Sequence, residues 1–166
     1  MKHLIPELEA LKRRLPPDQD GVLVLPALRR IQEDRGYIAD EDIDGLVEWL
    51  GIPRIRVEEI LSFYHMLRRA PIGHWHLQVC RNVSCSMLGA ERLIAHLEQR
   101  LGIAVGETTP DGRFTLSTVE CLGACGGAPV VRVNEAYHDA VNTENVDALL
   151  DELAAAPPAE TTGGRV

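Results

Sequence analysis

Cys80-Arg81-Asn82-Val83-Ser84-Cys85 is answered, thirty-six positions after its second cysteine, by Cys121-Leu122-Gly123-Ala124-Cys125, and these hold all four cysteines of the chain. Ahead of the first pair, Trp75, Leu77 and Val79 alternate with His74, His76 and Gln78; ahead of the second runs Phe114 to Glu120. Alternation of this kind predicts strands, so each pair is expected where a strand runs out into a loop. Two separated thiol pairs closing on one centre suit a metal ion or an iron-sulfur cluster, because four thiolates must converge from loops that the fold holds in register.

The intervals narrow the chemistry. Thioredoxin-type dithiols and zinc knuckles want two residues between cysteines, whereas four and three stand here. A plant-type ferredoxin follows its interval of four directly with one of two, which is absent. None of His3, His65, His74, His76, His96 and His138 lies between paired cysteines, so a Rieske-like centre lacks its ligands and each histidine is expected to pack or face solvent. An oxidised 2Fe-2S centre with four thiolates carries a charge of roughly −2 and wants backbone N-H groups aimed at sulfur. Gly123, Gly126 and Gly127 would let the main chain come close, and Ser84 and Ser86 could add hydroxyl donors. The loops thus favour a cluster over a structural zinc site, with one iron for Cys80 and Cys85 and one for Cys121 and Cys125. Glu120, beside so negative a centre, is expected to push its potential down.

Outward from the cysteines, a helix should open at Gly89, turn Ala90, Leu93, Ile94, Leu97 and Leu101 inward and close at Gly102. Asp111-Gly112 is a turn signal. Pro129 to Val133 and Ala136 to His138 read as two further strands across an Asn134-Glu135 turn, and Thr143 as the cap of a last helix carrying Val146, Leu149, Leu150 and Leu153. Upstream, four apolar stripes recur at helical spacing: Leu4 to Leu15, ended by Pro16-Pro17; Leu25 to Ile31, before Gly36; Ile43 to Leu50, opened by Asp40 as cap and closed by Gly51; and Val57 to Tyr64, after Pro53. The fold class is α/β, with a small helical bundle over 1–73, a sheet domain over 74–155 and a disordered Ala-Pro-rich tail over 156–166.

The 166 residues suffice for a real core, so the cysteines are not needed as staples. The net charge of −8, from 17 basic and 25 acidic residues, argues against a nucleic-acid groove. No apolar run approaches the roughly 20 residues of a membrane span. A soluble, cytoplasmic protein is expected, in a reducing compartment where paired cysteines bind metals more often than they form disulfides.

The run Cys80-x4-Cys85, Gly89-Ala90-Glu91, Thr108-Thr109-Pro110-Asp111-Gly112-Arg113-Phe114-Thr115-Leu116, Val119-Glu120-Cys121-Leu122-Gly123-Ala124-Cys125 and Ala128-Pro129-Val130 closely resembles the thioredoxin-like 2Fe-2S subunit of respiratory NADH:quinone oxidoreductase (complex I). Similar subunits serve NAD-linked hydrogenases and formate dehydrogenases. Leu25-Pro26-Ala27-Leu28, Gly36-Tyr37-Ile38, Leu50-Gly51-Ile52 and Phe63-Tyr64 look like that family's helical N-terminal region. Glu59-Ile60-Leu61-Ser62 stands where the family usually reads Gly-Val-Ala-Thr, and Ser86-Met87 lacks a histidine that many relatives carry. The resemblance implies a thioredoxin-like 2Fe-2S ferredoxin domain with a mixed four-stranded sheet, and one cluster on Cys80, Cys85, Cys121 and Cys125. It also implies docking on a flavoprotein subunit that binds FMN and NADH, at the cytoplasmic face of the inner membrane. This chain has no Gly-x-Gly-x-x-Gly fingerprint, so the resemblance makes it an electron-transfer subunit that does not oxidise NADH alone.

Overall fold

The structure is a computed structural model describing residues 2–16 and 19–157. Pro17, of the pair read as a helix stop, and positions 158–166 of the expected tail lie outside the described residues. The chain falls into two compact units, the first ending at Pro71 and the second beginning at Ile72. Among the described residues no helix is long and apolar enough to cross a membrane.

The first unit is helical. A 3-10 turn, Lys2–Leu4, leads into α1 (Ile5–Lys12), and another, Asp20–Leu23, into α2 (Val24–Arg35). Val24, Ala27, Leu28 and Ile31 bury one stripe of α2, the spacing of a helix face turned to a core. Gly36, in the left-handed region at φ 88°, ends it by returning its N-H to the Gln32 carbonyl at 2.7 Å. Helices α3 (Asp40–Leu50) and α4 (Arg54–Phe63) add Ile43, Leu46, Val57 and Leu61 to the same core.

The cap of α3 differs from expectation. Asp40 is already the first helical residue, and its carboxylate is taken by Arg54 at 2.6 Å and Arg69 at 2.7 Å. Ala39 holds the cap position, and Asp42, buried, reaches back to accept the Ala39 N-H at 3.1 Å while pairing with Arg35 at 2.7 Å. A carboxylate at the third helical position has the reach for this, and one at the first does not.

The second unit is a sheet. Strands β1 (Trp75–Cys80), β2 (Phe114–Val119), β3 (Val131–Val133) and β4 (Ala136–His138) lie in the order β2-β1-β3-β4, with β1 and β2 parallel and the other pairs antiparallel. A parallel pair needs a crossover. Here it is a short helix α5 (Val83–Met87), then α6 (Ala90–Leu101) between Gly89 and Gly102, then a hairpin in which Thr109 donates to Phe114 at 2.8 Å. A last helix, α7 (Val146–Ala155), joins α6 through His96–Asp147 at 3.0 Å and Arg100–Asp151 at 3.1 Å. Leu77, Val79, Leu93, Leu97, Leu116, Val131 and Leu150 form the centre of its core.

Three details hold this unit's edges. Gly73 passes so close to β2 that an added Cβ would stand 3.0 Å from the backbone of Arg113 and Phe114, and its N-H meets the buried Thr115 hydroxyl at 2.6 Å. Asn134, at φ 52° in the β3–β4 turn, accepts the His76 N-H at 2.9 Å and donates to the His74 carbonyl at 3.1 Å, extending the ladder with a side chain. Thr143 is not the cap of α7. It lies inside a turn closed by Asn142, which accepts from Glu144 and Asn145, and the helix begins three residues later.

Gln32 has a particular place in the helical unit. Buried on α2, it donates to the Met66 carbonyl at 3.0 Å and accepts the Arg68 N-H at 2.7 Å, tying the segment after α4 to α2. Gln32→Leu keeps the bulk but leaves both backbone groups without partners, a cost of about 1–3 kcal/mol for each. Urea denaturation should show that loss; an unchanged midpoint would mean that these bonds do not hold the segment.

Candidate metal centre

The four cysteines come together at one end of the sheet, from three kinds of local structure. Cys80 is the buried last residue of β1, its N-H joined to the Val130 carbonyl at 3.1 Å. Cys85 is buried on the inner side of α5, which Asn82 caps by accepting the Val83 N-H at 2.9 Å. Cys121 and Cys125 follow β2 and are exposed, with Cys125 opening a 3-10 turn, Cys125–Gly127. The thiols of Cys85 and Cys121 both adjoin the Cys80 sulfur, and Cys125 lies near enough to act on Cys85 electrostatically.

Backbone dipoles point into this group. Burial works to raise the Cys80 thiol, but the N-H groups of Asn82 and Leu122 and the neighbouring thiols of Cys85 and Cys121 outweigh it, so Cys80 titrates below an ordinary cysteine. Burial raises Cys85, the Val130 N-H offsets only part of that, and the adjoining Cys80 raises it further. Of the two buried thiols, Cys80 therefore gives up its proton more readily than Cys85, and metal binding by Cys85 releases one. Gly123, at φ 73°, turns its N-H to the Cys121 sulfur at 3.3 Å, a conformation that L side chains rarely adopt.

The other two glycines have different surroundings. Nothing lies within reach of a side chain added at Gly126. At Gly127 a Cβ would stand 2.2 Å from the Asp139 carboxyl carbon, so this glycine leaves room for Asp139. The 3-10 turn is also anchored from behind, Ala140 donating to the Gly127 carbonyl at 2.7 Å and Val141 to Pro129 at 2.9 Å. The Ala128–Pro129 peptide is cis.

Glu120 has a partner at this end of the sheet. It forms an ion pair with Arg81, whose Nε donates to Oε1 at 3.0 Å and whose Nη2 reaches the same oxygen. Its carboxylate is thus paired with a cation beside the cysteine site. The histidines have other occupations: His76 Nε2 meets Ser117 Oγ at 2.7 Å, His3 pairs with Asp34, and His74 packs edge-on to Trp75.

The short helix α5 stands where the sequence pattern predicts a loop. Its outer face is apolar and open: Val83 is 69% exposed, Met87 81% and Leu88 59%. Asn82, a preferred capping residue three positions before Cys85, was the signal available.

Four thiols with N-H groups directed at sulfur are a donor set that would suit an iron-sulfur centre. Among the described residues, no three or more His, Cys, Asp or Glu side chains gather as a site for one metal ion.

The sequence pattern described as thioredoxin-like 2Fe-2S ferredoxin matches residues 8–154. An NADH-quinone oxidoreductase subunit of Rhizobium meliloti is 45% identical over 150 residues, covering 90% of this chain and 88% of that one. The NADH-quinone oxidoreductase subunit 2 of Thermus thermophilus is 41% identical over 149 residues, covering 89% and 82%. Among solved structures, an NAD+-reducing NiFe-hydrogenase in the air-oxidized state superposes with a TM-score of 0.66 at 22% identity, over 86% of this chain and 25% of that longer one, a likeness of fold. With a matching pattern across nearly its whole length and curated relatives above 40% identity, the chain belongs to the thioredoxin-like 2Fe-2S ferredoxin family.

Proposed function

We propose that this chain is an electron-transfer subunit that carries one 2Fe-2S cluster on Cys80, Cys85, Cys121 and Cys125. It exchanges electrons with the FMN of a partner flavoprotein subunit that oxidises NADH, within a respiratory NADH:quinone oxidoreductase. The observation that carries the reading is the convergence of two thiol pairs, one buried and one exposed, at the ends of two adjacent parallel strands. The names of the relatives above 40% identity favour the quinone-reducing assembly over a hydrogenase or formate dehydrogenase, since the hydrogenase likeness is one of fold. NADH oxidation is assigned to the partner, and the chain's place is the cytoplasmic face of the inner membrane, through the complex.

The cluster, when bound, supplies a one-electron redox couple. Cys80 and Cys85 hold it from inside the fold, where N-H groups of Asn82, Leu122 and Val130 offset negative charge on sulfur. Cys121 and Cys125 hold it from the open side. Val83, Met87 and Leu88 form an exposed apolar rim on the outer side of α5, which suits a partner that excludes water.

Anaerobically purified protein should be coloured, contain acid-labile sulfide, and give a 2Fe-2S EPR signal on reduction. A colourless preparation with one zinc and no sulfide would establish the structural zinc adaptor instead. Cysteine-to-serine replacement at any of the four positions should abolish or alter the signal. His76→Ala should leave it intact, because that ring is engaged with Ser117; a lost signal there would mean the ligand set is wrong.

Docking is tested separately. Met87→Asp places a charge on the apolar rim and should weaken co-purification with the FMN- and NADH-binding subunit by at least about tenfold, about 1.4 kcal/mol, while leaving the absorption spectrum unchanged. Undiminished co-purification would place the interface elsewhere.

A further inference from the structure

One charged feature at the cysteine site has no part in holding a cluster. Arg81 directly follows Cys80 and Glu120 directly precedes Cys121, so their ion pair spans the two strand ends from which the thiol pairs start. The Arg81 N-H donates to the Val119 carbonyl at 3.0 Å, which continues the β1–β2 ladder and sets the two side chains opposite one another. Arg81 is 51% and Glu120 78% exposed. An exposed pair of this sort adds little to stability, so its stabilising energy does not account for its placement.

Its position matters more. A full positive and a full negative charge each stand one residue from a thiol of a different pair. A centre that takes up an electron gains negative charge, so a nearby cation favours the reduced form and a nearby carboxylate opposes it. Held together, the two effects largely cancel. Glu91 also acts on Arg81, so the cation is never wholly uncompensated.

We propose that Arg81 and Glu120 form a charge-balancing pair that sets the reduction potential of the centre held by the four cysteines, with Arg81 offsetting a carboxylate that would otherwise hold the potential low. Both are positioning residues: neither is a ligand, and each acts through its charge beside the thiolates. The inference rests on the reading of the cysteines as a 2Fe-2S site. A native protein without the 2Fe-2S spectrum would count against that reading, whereas the variants below bear on the pair alone.

The experiment is a potentiometric titration of the purified holoprotein, followed by EPR, on the native chain and on Arg81→Gln, Glu120→Gln and the double variant. Arg81→Gln should lower the midpoint, Glu120→Gln should raise it, and the double variant should return close to native. Both single shifts should shrink as KCl is raised, because exposed charges are screened. Single variants that move in the same direction, or do not move, would overturn the proposal. If a glutamine variant loses the centre, the charge-swapped Arg81→Glu/Glu120→Arg protein decides: a midpoint near native supports the pairing, and a displaced midpoint or a lost centre overturns it.

Discussion

The parallel alignment of β1 with β2 is the constraint on which the cysteine site depends. In that register Cys80 stands opposite Val119, which brings the first cysteine of each pair to neighbouring strand ends. The register is pinned from the other side of the molecule's chemistry, by apolar burial. A slip of one residue would turn Leu77, Val79 and Leu116 off the helix-packed face. Each is a buried side chain worth about 1.5–3 kcal/mol, so a slipped sheet would forfeit several times the energy of any single bond at the site. The core thus fixes where the thiols start, and the loops need only finish the approach.

They finish it in different ways, and the difference sets the electrostatics. The first pair is closed by a helical turn capped at Asn82, which buries Cys85 and leaves Val83 and Met87 outward. The second is closed by a glycine-rich turn that leaves both thiols exposed. Negative charge gathered on buried sulfur requires compensation, and the backbone N-H groups of Asn82, Leu122 and Val130 supply it without adding a cation. Such dipoles are fixed by the fold and need no reorganisation when charge changes. Beside the strand ends, Arg81 and Glu120 pair with each other and so add no net charge there.

Features with a strong local period were legible in the sequence. Leu25, Leu28 and Ile31 follow the helical spacing, although the structure buries Val24 and Ala27 more deeply than Leu25; Leu77 and Val79 alternate, and Gly36, Gly51 and Gly102 stop their helices in the left-handed conformation that only glycine adopts at low cost. Features settled by one residue's register, or by a distant neighbour, were not. Asp40 reads as the cap of α3, and only the helix start, at Asp40 itself, gives the capping contact to Asp42. Five residues of α5 are too few to show a period. Glu120 reads as an isolated acid until the sheet brings Arg81 to it from thirty-nine positions away.

Gly127 shows why the cysteine spacing alone could not describe the site. Its neighbours Gly123 and Gly126 suggest one shared purpose, a close approach to sulfur, yet what a side chain at Gly127 would meet first is the carboxylate of Asp139, on the segment after β4. That segment also supplies the Ala140 and Val141 N-H groups that hold the Gly127 and Pro129 carbonyls. The second thiol pair is therefore positioned from both sides, by β2 ahead of it and by the β4–α7 connection behind. Four thiols at these intervals on a chain without that connection would have the same ligands in sequence, but Cys125 would hang from a turn with nothing behind it. The cysteine pattern is accordingly a necessary part of the site, and what completes it is the ββα half of the fold.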